Sequence, residues 1–173
     1  MRVEYINPFV ESSVSVMSEV LGLEVERKEI SLRSKAVPVL DIAVIVGLVG
    51  QVEGRVLFDM TKETALNIVS KMNEEEIKEF DELAKATITE LGNMITGRAV
   101  TKLSDMGYRF DVTPPAIFAG NNMEISDVEM EALVVPIETS LGRVEINVAL
   151  REKWNLIFIV FINKTPFDFM KYW

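Results

Sequence analysis

The chain has 173 residues, 49% of them hydrophobic, and carries 18 Lys and Arg against 27 Asp and Glu, for a net charge of −9. This length predicts one domain, and no apolar run approaches the ~18 residues of a membrane span. The excess of acids would repel a phosphate backbone, so nucleic acid is not an expected partner. The chain has no Cys and no His, which excludes a thiolate nucleophile, a Ser-His-Asp triad and any metal site built on those ligands.

The first residues contain an acid, Glu4, and lack the apolar segment of a secretory signal, so a cytoplasmic location is expected. The segment from Asn7 to Leu21 predicts a first helix, with Asn7 as N-cap, Pro8 at the first helical position and Gly22 as its end. Its apolar residues recur at helical spacing and supply a face for the core. They are Phe9, Val10, Val14, Met17, Val20 and Leu21.

Segments rich in Val, Ile and Leu predict strands in two parts of the chain. Residues 36–60 predict two strands joined by a turn near Gly50 and Gln51. The later part predicts short strands on either side of the Thr113-Pro114-Pro115 turn, a hairpin across Ser140-Leu141-Gly142, and a buried final strand. The predicted segments are 110–112, 116–119, 132–138, 144–150 and 156–162.

Two helices are predicted between these parts. Thr61 is expected to cap a helix that ends at about Met72. Asn73 is expected to cap a longer helix, whose first turns carry the three Glu residues 74–76 and which ends at Gly107. Its length of about 33 residues is well above the usual value for a globular protein.

The long helix has one apolar and one polar face. At about 100° per residue the apolar positions gather on one half of the cylinder. They are Ile77, Phe80, Ala84, Ile88, Leu91, Met94, Ile95, Ala99, Leu103 and Met106. Glu90 and Asn93 fall on the other half, and their i, i+3 spacing stacks the two side chains on neighbouring turns. A carboxylate and a carboxamide are therefore expected to project together away from the core.

Small residues surround this pair. Ala86 lies one turn before Glu90 and Gly97 one turn after Asn93, so little side-chain bulk holds a second surface away. Gly92 and Gly97 each cost a helix about 1 kcal/mol relative to Ala, which indicates a close approach of another surface. Taken alone, Glu-x-x-Asn on an exposed helix is usually only a solvated face.

These elements predict an α+β fold in two layers, with a mostly antiparallel sheet packed under long helices. A distinctive series of residues lies in the long helix and after it: Glu90-Leu91-Gly92-Asn93-Met94, Thr96-Gly97, Lys102-Leu103, Gly107, Asp111 and Thr113-Pro114-Pro115. This series resembles the signature region of the CheX branch of the CheC/CheX/FliY chemotaxis phosphatases. Residues 7–24 and 63–72 are also similar to CheX in order and spacing.

The resemblance implies a single CheX-like domain over residues 1–173, in which 152–173 form a C-terminal extension. It weakens through the C-terminal strands. The CheC branch carries a second catalytic motif on its first helix, whereas Glu11 is followed three residues later by Val14 here, as in the single-site CheX arrangement. The position four before the catalytic acid, commonly Asp or Ser in the family, is Ala86 here. CheX also implies a homodimer joined partly through sheet edges.

The resemblance further implies a function. Its catalytic acid and amide correspond to Glu90 and Asn93, and contacts to the partner are expected at Glu82, Ala86 and Gly97. The family's substrate is a phosphorylated response regulator of the CheY type, which supplies its own magnesium ion and lysine. The chain would therefore need no cofactor or metal of its own, with Asn93 orienting the attacking water and Glu90 engaging the receiver's lysine.

Two other interpretations remain open. A catalytically silent adaptor or flagellar-switch component would use the same helix face only to bind a receiver. A small-ligand-binding domain would leave Glu90 and Asn93 merely solvated.

Overall fold

The computed structural model describes residues 3–33, 37–125 and 130–152. Within them the chain forms three helices and ten strands. The helices are α1 (Val3–Leu21), α2 (Lys62–Asn73) and α3 (Glu82–Asp105). The strands are β1 (Glu26–Arg27), β2 (Ser31–Arg33), β3 (Val37–Val39), β4 (Ile42–Gly50), β5 (Val52–Met60), β6 (Phe110–Val112), β7 (Ala116–Ala119), β8 (Met123–Ile125), β9 (Ala132–Thr139) and β10 (Gly142–Glu152).

Eight of these strands form one antiparallel sheet. Its order is β1-β9-β10-β5-β4-β6, with β2 also pairing with β9 and β7 also pairing with β4. Both predicted hairpins are present, β4 with β5 and β9 with β10. The predicted α+β fold with a mostly antiparallel sheet is therefore confirmed.

The register of the central strands aligns apolar side chains on the face of the sheet that packs against the helices. Val44 pairs with Phe58, Phe58 with Ile146, and Ile146 with Val135, so one row of apolar side chains crosses four strands. All four are almost completely buried. Because side chains alternate along a strand, this row and its neighbours two residues away face the helices. Burial of this face against α1 and α3 supplies most of the hydrophobic stabilisation of the layer pair.

The opposite face of the sheet is partly covered as well. The strands β3 and β8 pair with each other and form a small second sheet. Val39 from β3 and Met123 and Ile125 from β8 pack on Ala43 and Leu57 of the main sheet. No helix within the described residues is long and apolar enough to cross a membrane.

The first helix begins earlier than the sequence predicts. The described part of α1 already starts at Val3, so the assignment of Asn7 as N-cap and of Pro8 as first helical residue is wrong. Tyr5 and Ile6 are 2% exposed, and their burial in the core favours the extra N-terminal turn over the local capping signal. The predicted end is confirmed, since Gly22 adopts φ 64° and its amide donates to the Ser18 carbonyl.

The long helix is shorter than predicted. Helix α2 continues to Asn73, whose side-chain amide donates to the Val69 carbonyl, and Glu74 turns left-handed with φ 54°. The backbone amide of Ile77 donates to the Ser70 hydroxyl at 2.9 Å and holds a non-helical connection. Residues 74–76 therefore do not begin a helix, and Ile77 and Phe80 reach the core from this connection. The N-cap of α3 is Asp81, and α3 has 24 residues.

Several predictions fall on residues outside the described ranges. These are the final strand 156–162 and the extension, of which only its first residue, Glu152 at the end of β10, is described. The homodimer through sheet edges and the cytoplasmic location stay predictions.

A buried carboxyl group lies on the face of the main sheet that the small second sheet covers. The side chain of Asp59 is fully buried, and it accepts hydrogen bonds from the Leu40 backbone amide at 3.0 Å and from the Asn147 side-chain amide at 2.8 Å. The pKa of Asp59 is raised from 3.8 to about 7, chiefly by burial and also by the charge of nearby Glu145, against the lowering effect of the two hydrogen bonds and of Arg33.

Because the folded protein holds the Asp59 proton more tightly than the unfolded chain, stability falls as pH rises through the interval between the two pKa values. We expect the free energy of unfolding to be lower at about pH 8 than at about pH 5, by on the order of 3 kcal/mol. The chain has no His to titrate in this interval. The substitution Asp59→Asn should remove most of this difference in urea unfolding curves at the two pH values. Asp105→Asn, which changes an exposed carboxyl, should keep it. A wild-type protein with equal stability at both pH values contradicts the assignment.

Candidate functional site on the outer face of α3

Helix α3 is oriented by its buried side. Eight of its residues are buried: Ala84, Ile88, Leu91, Gly92, Ile95, Thr96, Ala99 and Leu103. Gly92 lies close to the sheet, because a Cβ atom there would be 3.0 Å from Cγ1 of Val44 and 3.8 Å from Cδ2 of Phe58. The Asp81 carboxylate accepts from the Ala84 amide at 2.9 Å and fixes the start of the helix. With this side buried, the opposite side must face outward.

Glu90 and Asn93 lie on that outward side, and both are exposed. Neither side chain has a hydrogen-bonding or ionic partner among the described residues. The two groups are on successive turns, about 4.5 Å apart along the helix axis. They stand on the exposed, convex outer side of the helix. An open groove of about 820 Å³ lies elsewhere, between α2 and the connection that follows it, and is not lined by either residue.

The residues expected to contact a partner share this surface. Ala86 is exposed one turn before Glu90. Gly97 is exposed one turn after Asn93, and a Cβ atom placed there would have no neighbouring atom within 4 Å. Glu82 is exposed at the margin of the surface, in the first turn of α3, and its carboxylate pairs with Lys85 at 2.6 Å. The surface around the Glu90 and Asn93 pair therefore carries little side-chain bulk, and the Glu82–Lys85 ion pair lies at one end of it.

Two apolar residues of the predicted long helix are not where the sequence predicts them. Met94 is 38% exposed and Met106 is 51% exposed, so their assignment to the core is wrong. Met94 lies only about 40° around the helix from Glu90, on the outward side. Leu83, 47% exposed and about 20° from Glu90, belongs to the same surface and was not singled out from the sequence. At about 100° per residue, a helical projection of α3 places both Leu83 and Met94 on the outward side.

Ionic contacts fasten α3 to α1. The Arg98 guanidinium donates to both carboxylate oxygens of Glu19, at 2.6 and 2.8 Å, and also to the Ser15 hydroxyl at 2.7 Å. The hydrogen bonds from Arg98 and Ser15 lower the pKa of Glu19 to about 2. Lys102 pairs with Glu11 at 2.9 Å. Glu11, the acid on the first helix, is thus engaged in helix packing.

No group of three or more Asp or Glu side chains able to hold a metal ion occurs within the described ranges. The chemistry that the surface offers is that of one carboxylate and one carboxamide, both open to a second molecule. A carboxamide both donates and accepts hydrogen bonds, and a carboxylate attracts a cation. Two exposed side chains on the outer side of a helix can reach a group that lies in a pocket of another molecule.

The family model described as chemotaxis phosphatase CheX matches residues 42–138, more than half of the chain. The chain belongs to the CheX family. The CheY-P phosphatase CheX of Thermotoga maritima is 32% identical to this CheX-family chain over 126 residues, which cover 72% of this chain and 81% of the relative. As a member of this family, the chain is a phosphatase.

Solved structures agree with the CheX assignment. A chain of the CheX-CheY-BeF3-Mg complex from Borrelia burgdorferi is 42% identical, with a TM-score of 0.77 over 87% of this chain and 100% of that chain. A CheC-like superfamily protein from Shewanella sp. PV-4 is 28% identical, with a TM-score of 0.79 over 87% of this chain and 99% of that chain.

The two glycines of α3 should respond differently to substitution, because one faces the sheet and the other faces outward. Gly97→Ala should raise the free energy of unfolding by about 0.5–1 kcal/mol, since the new methyl group meets nothing and Ala favours the helix. Gly92→Ala should lower the free energy of unfolding by about 1 kcal/mol, because crowding of the new methyl group against Val44 outweighs the helix preference of Ala. Urea unfolding of both variants measures the difference. Equal stabilisation by the two substitutions would contradict the close packing of α3 on the sheet.

Proposed function

We propose that this CheX-family protein hydrolyses the aspartyl phosphate of a CheY-like response regulator, with Asn93 orienting the attacking water and Glu90 engaging the receiver's lysine. The observation that carries the proposal is the exposed, unpaired state of these two side chains on one convex helix face. A protruding pair of this kind fits a substrate whose reacting group lies in a pocket of its own protein.

The chemistry needs few groups from the phosphatase. Phosphoryl transfer passes through a loose transition state, so catalysis depends mainly on positioning and on charge stabilisation. The receiver brings the phosphorylated aspartate, a magnesium ion and a lysine in this proposal. The chain itself has neither His nor Cys, and the mechanism requires neither. The CheX-CheY-BeF3-Mg composition of the Borrelia burgdorferi complex supports a receiver partner and a magnesium ion in the assembly.

Asn93 is assigned to the water. Its carboxamide can accept a hydrogen bond from a water molecule and donate another to a neighbouring oxygen, which fixes the water in line with the phosphorus atom. An amide is not consumed and does not titrate, so the role persists over the whole range of working pH. The side chain is short, and it reaches the phosphoryl group only if the two proteins approach closely. Ala86 and Gly97, on either side of the pair, leave room for that approach.

Glu90 is assigned to the lysine of the receiver. A carboxylate one turn from Asn93 can pair with that ammonium group and set the position of the helix in the pocket. Glu82, in the first turn of α3, adds a second carboxylate to the surface that would meet the partner, and it is paired with Lys85. In this proposal Glu90 positions the helix and Asn93 positions the water.

Asn93→Ala should retain binding of the receiver and lower the rate of hydrolysis by about 10² to 10³, as removal of one oriented catalytic group does elsewhere. Ala favours an exposed helix more than Asn by roughly half a kcal/mol, so the variant should be at least as stable as the wild type. Release of inorganic phosphate, measured against spontaneous decay of the phosphorylated receiver, gives the rate. Ser104→Ala, an exposed position later in α3, is the control and should keep the wild-type rate. Turnover of Asn93→Ala at the wild-type rate would reject the mechanism.

Glu90 should affect association as well as rate. Glu90→Ala should raise KM and lower kcat together, whereas Glu90→Lys should abolish docking because like charges then meet at the receiver's lysine. Titration calorimetry with a receiver activated by beryllofluoride and magnesium measures the association. Asp105→Lys changes the charge of the chain by the same amount at the end of α3 and should bind nearly as the wild type does. Equal loss of binding in Glu90→Lys and Asp105→Lys would assign the effect to net charge and contradict the role of Glu90.

The phosphate-release and binding assays also distinguish a phosphatase from a catalytically silent adaptor. A wild-type protein that binds the activated receiver without accelerating phosphate release would be an adaptor rather than a phosphatase.

A further inference from the structure

Two large apolar side chains stand on the outer face of α3 beside the Glu90 and Asn93 pair. Leu83 is 47% exposed and Met94 is 38% exposed. Leu83 lies about 10 Å before Glu90 along the helix axis, and Met94 lies about 6 Å after it. The two side chains therefore bracket the pair, with the small residue Ala86 between Leu83 and Glu90 and with Gly97 beyond Met94.

Packing within the described chain does not account for these positions. Neither residue belongs to the apolar clusters of the main core or of the two smaller clusters. A single exposed apolar residue is ordinary on a protein surface, and its exposure alone indicates nothing. What distinguishes these two is their continuity with the polar pair, since all four side chains fall within about 100° of the helix circumference.

We propose that Leu83 and Met94 are the residues that hold the receiver, by packing against apolar side chains at the two sides of its phosphorylation pocket. The proposal rests on the proposed function, and it names the source of affinity at that site. Glu90 sets the position of the helix against the receiver's lysine, but the attraction between the two charges is largely offset by the cost of removing both from water. Burial of apolar surface around a central polar pair contributes more, and it keeps bulk water from the contact.

The choice of side chains suits this role. An unbranched methionine adapts its shape to the surface that it meets, so Met94 can fill the space beside the short Asn93 side chain. Leu83 lies in the first turn of α3, next to Glu82, so an apolar side chain and the Glu82–Lys85 ion pair are presented to the partner together. These two residues would then determine which receivers bind, whereas Glu90 and Asn93 act on features common to all of them.

The test replaces each apolar side chain by a polar one of similar length. Leu83→Gln and Met94→Gln keep a good helix former at an exposed position, so the fold should persist, and thermal unfolding checks this. Each variant should raise KM for the phosphorylated receiver about 5- to 10-fold and leave kcat within about twofold. The Kd for the receiver activated with beryllofluoride and magnesium should rise by the same factor.

Matched controls separate docking from a general loss of surface apolarity. Met106→Gln changes another exposed methionine at the α3 terminus, and Leu32→Gln changes an exposed leucine of β2. Both should leave KM and Kd within about twofold of the wild type. If Leu83→Gln and Met94→Gln behave like these controls while the wild type hydrolyses the substrate, the inference is overturned and the proposed function stands. A fall in kcat at constant KM would also overturn it.

The binding measurement keeps the two proposals distinct. If the wild type fails to accelerate phosphate release, the proposed function is rejected, and the Kd values still decide the present inference. Weaker binding of the activated receiver by Leu83→Gln and Met94→Gln, but not by the controls, supports it. An unchanged Kd, or no binding by the wild type, overturns it.

Discussion

The contact between Gly92 and the sheet determines how the rest of α3 is presented. With no side chain at Gly92, the helix backbone lies directly over Val44 and Phe58, and rotation about the helix axis would bring a bulkier residue against them. The orientation fixed on the buried side sets the orientation on the other side. Glu90 and Asn93 therefore point outward as a consequence of core packing.

The neighbouring helix completes this support. Arg98 and Lys102 of α3 pair with Glu19 and Glu11 of α1, so the two helices pack as one layer on the sheet. An isolated exposed ion pair contributes little to stability, and the apolar surface between the layers contributes much more. The pairs instead set the position of one helix relative to the other. A site made of two short groups depends on such positioning, because small displacements have large effects on catalysis.

Periodicity predicted the outward direction of Glu90 and Asn93, and turn residues predicted both hairpins, because these features depend on local spacing and backbone conformation. The start of α3 was not predictable in this way. Ile77 continues the apolar spacing of the helix, yet a hydrogen bond to the Ser70 hydroxyl, seven residues earlier, holds it in a non-helical connection that the spacing does not reveal. Met94 was grouped with the apolar half of the helix, although at about 100° per residue it falls within about 40° of Glu90. The roles of the site residues came from resemblance, since spacing does not identify a partner.

The central claim is that the outer face of α3 enters the receiver's pocket. The side-chain amide signal of Asn93 in an NMR spectrum tests it most directly, during titration with a receiver activated by beryllofluoride and magnesium. The account predicts that this signal and the backbone signals around Glu90 shift on binding. Signals from β1 and β2, which lie at the edge of the sheet opposite β6, should not shift. Binding that shifts signals elsewhere on the molecule and leaves those of Asn93 unchanged would contradict it.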